Sequence, residues 1–454
     1  MDGGAGGQGA IAEAVVVVGG GLAGCEAAWQ MAERGTRVRL FEMRPGARSE
    51  AHQGDGLAEL VCSNSLRGAS LGNAVGLLKE EMRRLGSLVL RAADANAVPA
   101  GRALAVDREA FSRFIQDAIE GHDLIEVVRE RVDRIPDAPL VILATGPLTA
   151  KDLAAEVQAL LGETSLYFYD AIAPTLYADS IDYDVVFRAS RYEDGEGDYL
   201  NLPLDREAYE TFITALLAAD TVPLHAHEKA LYFEGCLPIE EMARRGPATL
   251  SFGPMKPVGL RDPRTGRRPF AVVQLRQENK AGVLYNLVGF QTKLRIGEQQ
   301  RIFRALPGLG NAVFARYGSV HRNTFVNAPM HLAATLEVQG RPGLYIAGQM
   351  AGVEGYVESA ALGFVAGVQL AYRARGETAP GPPAETAHGA LLRHLAPDPG
   401  GRQAFQPSNV NYGLFPPLPG SAKRIPRREK TQRLADRALE ATAQWSAEIG
   451  ALSP

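Results

Sequence analysis

Gly19, Gly21 and Gly24 stand in a GxGxxG spacing, and Glu42 follows eighteen residues beyond the last of them. Glycines so placed permit a tight turn, close approach of backbone to a pyrophosphate and close helix packing, while the amino end of the following helix favours phosphate charge. An acid at position 42 suits ribose hydroxyls and disfavours a 2′-phosphate, so FAD or NAD is the expected nucleotide. The expected cradle is Gly19, Gly20, Gly21, Leu22, Ala23 and Gly24 with Glu42, Met43 and Arg44. Two later segments favour FAD: the turn Ala144, Thr145, Gly146, and the loop from Gly348 and Gln349 to Gly355 and Tyr356, which opens a helix rich in alanine and glycine. Small residues let backbone lie against a large cofactor, and a helix amino end beside the flavin pyrimidine would stabilise the anionic reduced form.

The chain has three cysteines. Cys25 follows Gly24 on the first helix and reads as core packing. Cys62 lies in a polar loop before Ser63 and Asn64, and Cys236 in a turn between Gly235 and Leu237-Pro238. Neither occupies a regular core position; a free cysteine there is either an inert buried thiol or a nucleophile or base. His225 and His227 lack companion ligands, so no metal site is expected. His321 stands in the run His-Arg-Asn-Thr, just before the chain returns to the segments assigned to the cofactor. Basic residues gather at Arg261, Arg264, Arg267 and Arg268 and again at Lys423, Arg424, Arg427, Arg428, Lys430 and Arg433. Such clusters contact phosphates without reading sequence, or else form solvated faces.

These residues need elements to position them. Ala14–Val18 reads as a buried strand, Cys25–Glu33 as a helix and Arg37–Glu42 as a second strand, completing a βαβ unit. Met43–Gly76 is irregular and too long for a simple connection, which suggests function. An amphipathic helix runs around Leu77–Leu85, Asp107 sits at the N-cap of another, and Leu140–Gly146 reads as a further parallel strand. From Tyr167 to Gly318 the pattern changes to aromatic-rich strands, with Phe270–Arg276 and Val283–Phe290 flanking a hairpin loop. The expected fold is α/β: a Rossmann-like FAD-binding domain, glutathione-reductase-like, interrupted by a mixed α+β insertion domain. Its parts are a disordered extension at 1–12, FAD-binding segments at 13–166 and 319–376, an insertion at 167–318, and a linker with a basic C-terminal helical segment packed on the FAD domain at 377–454. With 46% hydrophobic and 22% charged residues, the composition excludes disordered, collagen-like and disulfide-scaffold classes. The net charge of −4 argues against coating nucleic acid by bulk electrostatics, though not against a local basic groove. No stretch suits a membrane span or a signal peptide, and the few cysteines suit a reducing cytoplasm.

The runs from Gly19 to Trp29, Phe41–Pro45, Ala58–Leu66, Glu80–Leu88, Pro99–Gly101, Ala105–Arg108 and Phe233–Pro238 resemble the folate- and FAD-dependent tRNA (uracil-5-)-methyltransferases. The similarity continues through Gly253–Leu260, Tyr285–Leu294, His321–Thr324 and Gly348–Tyr356, and covers nearly all of the chain after residue 13. This resemblance implies formation of 5-methyluridine at position 54 of the tRNA T-loop. The carbon would come from 5,10-methylenetetrahydrofolate and the reducing equivalents from FAD, itself reduced by NADH or NADPH. Uracil C5 is a poor nucleophile until a thiolate adds to C6, and a base must later remove the C5 proton. By the resemblance Cys236 is the nucleophile and Cys62 the base, with His321, Arg322 and Tyr356 on the folate side. Arg261, Arg267, Arg268, Lys423, Arg427 and Arg428 are the residues expected to meet tRNA, whose target base must leave its stack. Two other readings stand beside this one: a flavoprotein modifying wobble uridines with a GTPase partner, and a non-catalytic, flavin-bearing RNA-binding protein. Either a monomer or a dimer is compatible with these features.

Overall fold

A computed structural model describes residues 14–162, 166–192, 195, 197–223, 237–396, 405–420 and 425–450. The proposed extension at 1–12, together with His225, His227, Cys236, Lys423 and Arg424, lies outside the described residues.

The four valines of Val15–Val18 are buried on both faces because they form the centre of a five-stranded parallel sheet. On one side lie Val38–Phe41 and then Ile125–Val128; on the other lie Val141–Leu143 and then Leu344–Ile346. The last strand comes from the far end of the chain, so this sheet is completed only after the intervening region has been built. Helix Leu22–Ala32, which follows the central strand, packs along helix Tyr356–Arg373 at a very short separation. A methyl group at Gly363 would lie 2.1 Å from the Ala23 carbonyl oxygen, and only a residue without a side chain allows that approach.

Between these segments a six-stranded antiparallel sheet runs in the order Phe187–Arg188, Tyr199–Leu204, Ala271–Gln277, Leu284–Leu287, Thr175–Tyr177, Phe314–Arg316. Its own core includes Phe212, Phe290 and Phe303. The antiparallel pair Leu166–Ile172 and Ser319–Phe325 carries the chain out to this sheet and back, with His321 opposite Asp170. The expected hairpin is present, with Leu275 opposite Leu287 and Gln277 opposite Tyr285.

The helix Arg427–Glu448 is anchored by Trp445, which is buried against Phe364 and His388 and donates its indole N–H to the Pro380 carbonyl at 3.0 Å. His388 Nδ1 lies 2.8 Å from the Glu81 carboxylate, both side chains fully buried. Among the described residues, no helix is long and apolar enough to cross a membrane.

Candidate functional site

Parallel strands end together, and the turns that follow them leave a crevice at their carboxyl edge. Here it is a cleft walled by Gly19–Ala23, Phe41–Arg44, Ala144–Ala150 and, from the returning segment, Gly348, Gln349, Tyr356 and Ser359. Every residue expected to hold the cofactor lines this cleft except Gly24 and Gly355. Gly24 lies beneath it, where a Cβ would meet the Gly19 carbonyl oxygen at 1.9 Å; Gly355 closes the turn into helix Tyr356–Arg373.

The donor set fits a dinucleotide. Helix Leu22–Ala32 begins at Gly21 with no side-chain cap and no acid in its first turn, leaving its amides open to phosphate. Glu42 is buried at the end of its strand but already saturated. One carboxylate oxygen accepts from the Gly20 amide and an Arg44 Nη, each at 3.0 Å; the other accepts from the Arg44 amide at 3.0 Å and Nε at 2.8 Å. A ribose at this position therefore competes with Arg44. Burial alone would raise the Glu42 carboxyl, but Arg44 overrides it and holds the group below its ordinary value.

At the rim of the cleft the irregular segment 43–76 delivers Cys62. Its loop is held by its backbone. The Tyr356 hydroxyl accepts from the amides of Cys62 at 2.7 Å and Ser63 at 3.2 Å, so the first helical residue of the returning segment ties the loop to the cleft it lines. Arg108 donates to the Leu60 carbonyl and, at 3.1 Å, to that of Cys62. Arg276, on the hairpin of the antiparallel sheet, donates to Ser63 Oγ at 2.7 Å and Asn64 Oδ1 at 2.9 Å. Arg316 donates to the Val61 carbonyl at 2.5 Å. Glu278 lies 2.6 Å from Arg108 and 4.0 Å from Arg276. None of Arg108, Arg276, Glu278 and Arg316 was singled out from the sequence, because nothing local distinguishes them from surface charges. Their burial and convergence appear only in the folded chain.

His321 is buried, with Nε2 2.9 Å from Ser319 Oγ and Nδ1 3.7 Å from the exposed Glu50 carboxylate. Burial lowers its pKa, so the ring is neutral at neutral pH. Arg322 follows it, opposite Tyr169 in the strand pair. Glu354, two residues before Tyr356, is buried; desolvation and the neighbouring Asp170 and Glu358 carboxylates push it well above the ordinary carboxyl range. Cys25 is buried on the first helix, its thiol donating to the Gly20 carbonyl at 3.3 Å, which makes it packing. Arg261, Arg267 and Arg268 are exposed on the turn before Ala271–Gln277, and Arg427 and Arg428 on the first turn of the C-terminal helix. Among the described residues no cluster of three or more His, Cys, Asp or Glu could hold a metal.

The strand leaving the Cys62 loop, Ser65–Gly68, is held by Lys79, which is fully buried and donates to the Leu66 and Gly68 carbonyls at 2.8 Å each. Burial and the Arg67 cation lower its pKa from the ordinary 10.5 to about 7. Folded Lys79 releases its proton as pH rises through about 7, while the unfolded chain keeps it to about 10.5, so stability contributed at this site rises with pH across that interval. Chemical denaturation at pH 7 and pH 9 is expected to show that rise in the wild type and a smaller one in Lys79→Met; equal slopes would place the proton elsewhere.

Fold and cleft together define a flavoprotein-type α/β protein with a Rossmann-like FAD-binding domain. The family model described as "Glucose inhibited division protein A" matches residues 14–378. In the solved structures, Aquifex aeolicus GidA in its form I crystal superposes with a TM-score of 0.69 at 20% identity, covering 97% of this chain and 76% of that one. Curated relatives are far nearer in sequence. The methylenetetrahydrofolate–tRNA-(uracil-5-)-methyltransferase TrmFO of Citrifermentans bemidjiense is 60% identical over 97% of this chain and 100% of its own length. That of Desulforudis audaxviator is 57% identical over 96% and 99%. The chain belongs to the TrmFO family of methylenetetrahydrofolate–tRNA-(uracil-5-)-methyltransferases.

Proposed function

We propose that this protein methylates C5 of uridine 54 in the T-loop of tRNA, taking carbon from 5,10-methylenetetrahydrofolate and reducing equivalents from FAD reduced by NADH or NADPH. The observation that carries the reading is a cysteine loop clamped to the rim of a dinucleotide cleft, in a chain 60% identical over its length to relatives named for this reaction. Bound in the cleft, the flavin would supply transfer of the one-carbon unit and its reduction to a methyl group.

The chain's own residues supply the rest. The amides at the start of helix Leu22–Ala32 hold the pyrophosphate, with Glu42 and Arg44 at the ribose. His321, Arg322 and Tyr356 form the folate side, where a neutral imidazole presents a flat face for stacking. Cys236 adds to C6 of the base, and Cys62 takes the C5 proton. Tyr356 and the arginines hold the Cys62 backbone, which keeps the base in place through both steps. The exposed arginines 261, 267, 268, 427 and 428, with Lys423, meet phosphates. Arg427 and Arg428 sit at the positive end of their helix, a position that opposes helix stability and suits an anionic partner.

The test uses tRNA unmodified at the T-loop uridine, NADH or NADPH, and methylenetetrahydrofolate labelled at its methylene carbon, with mass spectrometry of the product nucleosides. Labelled 5-methyluridine is the expected result. Its absence from flavin-loaded protein with competent tRNA overturns the proposal and favours the wobble-uridine or non-catalytic reading.

A further inference from the structure

Three guanidiniums grip the segment Leu60–Asn64, and among the described residues one ion-paired carboxylate answers them. Glu278 neutralises Arg108 at 2.6 Å and is 4.0 Å from Arg276. Glu358 is paired with Arg67, and Glu354, which accepts from Gln349, has its pKa pushed well above the ordinary carboxyl range by burial and by the Asp170 and Glu358 carboxylates. Arg316 is left with one hydrogen bond among the described residues, to the Val61 carbonyl, and no carboxylate within ion-pair distance. It is half-buried at the end of strand Phe314–Arg316, within the fields of Arg108, Cys62, Tyr356 and, more weakly, Glu278. A partly desolvated cation with unused N–H groups beside the proposed base suits an anion or an oxygen that becomes one.

We propose that Arg316 is a catalytic residue whose guanidinium donates to O4 of the target uracil and holds the negative charge that forms there. The inference rests on the uracil-methylation reading above. When a thiolate adds to C6, the S–C6 bond forms, the C5=C6 π pair moves between C4 and C5, and the carbonyl π pair moves onto O4. As C5 bonds to the one-carbon unit supplied through folate, that pair returns and the C4 carbonyl is restored. When Cys62 takes the C5 proton, the C–H pair is delocalised onto O4 again. O4 therefore carries charge twice. Because it is attached to the carbon next to C5, it must lie close to whatever base reaches the C5 proton. Of the guanidiniums bonded at Val61 and Cys62, Arg108 is engaged by Glu278, and Arg316 is the one without a carboxylate partner among the described residues.

The test uses flavin-loaded full-length protein and a T-arm RNA carrying 5-fluorouridine at the target position, with covalent adduct followed on denaturing gels. Arg316→Gln is expected to slow adduct formation about 10²–10³-fold, with affinities for the RNA and for tetrahydrofolate kept within about threefold. Arg316→Lys, which cannot serve Val61 and O4 with the same planar fork, is expected to be slower by about tenfold. In the same RNA with O4 replaced by sulfur, a weaker hydrogen-bond acceptor, the ratio of wild-type to Arg316→Gln rates is expected to shrink; an arginine that only shapes the loop would leave that ratio unchanged. A wild-type adduct rate in Arg316→Gln overturns the proposal, and a wild-type rate with weakened tetrahydrofolate binding assigns the residue to the folate instead. Should Arg316→Gln fail to hold flavin, Arg316→Lys decides, and a wild-type rate in it overturns the proposal. Absence of any adduct in the wild type removes the uracil reading itself, and the inference with it.

Discussion

Cys62→Ala is expected to lose methylation by about 10²–10⁴-fold, the contribution of a positioned base, while binding flavin and tRNA as the wild type does. The separation is possible because the loop is held through the Cys62 amide and carbonyl, bonded to Tyr356 and Arg108, and these contacts survive removal of the thiol. Without the base, the product of carbon transfer keeps its C5 proton and cannot expel the C6 thiolate. A covalent protein–RNA species should therefore accumulate in Cys62→Ala and be absent from Cys236→Ala. Denaturing gels with labelled tRNA and measured turnover check both points. Turnover within tenfold of the wild type in Cys62→Ala would remove the base assignment.

Glu278→Gln is expected to damage stability and rate together. The carboxylate is 3% exposed and lies between Arg108 and Arg276, so its loss leaves one half-buried and one buried guanidinium without a counter-charge. Breaking one side of such a pair costs about 3–5 kcal/mol, which a lowered midpoint in chemical denaturation would report. Those guanidiniums hold the Cys62 loop, and small displacements of a reacting group cost about 10² in rate, so kcat should fall more than KM rises. In the double variant Arg108→Met/Glu278→Leu, an apolar pair replaces the charged one. Stability should recover only in part, because the unpaired Arg108 charge is gone while Arg276, 4.0 Å from the lost carboxylate, is left without a counter-charge. The rate should not, because the donors to Leu60 and Cys62 are gone too. Recovery of both would mean that the ion pair only fills space.

The two halves of the site differ in how they are written in the chain. Nearest-neighbour rules suffice for the dinucleotide cleft: a β-branched strand, a glycine turn, a helix and an acid-ended strand follow one another from Val15 to Glu42, and the cap at Asp107 accepts from the Ala110 amide at 3.0 Å as its position predicts. The hairpin's strands follow from their residue pattern, but its role does not. Its loop docks on the first domain, where the Lys280 amide donates to Asp107 Oδ2 at 2.9 Å.

The sequence by itself determined the parallel-sheet fingerprint, the turns that wall the cleft, the burial of Cys25 and the family to which the motifs point. Those features depend on residue type and on spacings of a few to some thirty positions, where local conformation and periodicity operate. Only the tertiary structure decided what surrounds Cys62. Its amide meets Tyr356 across 294 positions, Val61 meets Arg316 across 255, Ser63 meets Arg276 across 213, and Arg108 meets Glu278 across 170. At those separations no local propensity couples the partners. Each arginine reads as an ordinary surface charge until the antiparallel sheet closes over the first domain, excludes water and makes the missing counter-charge matter.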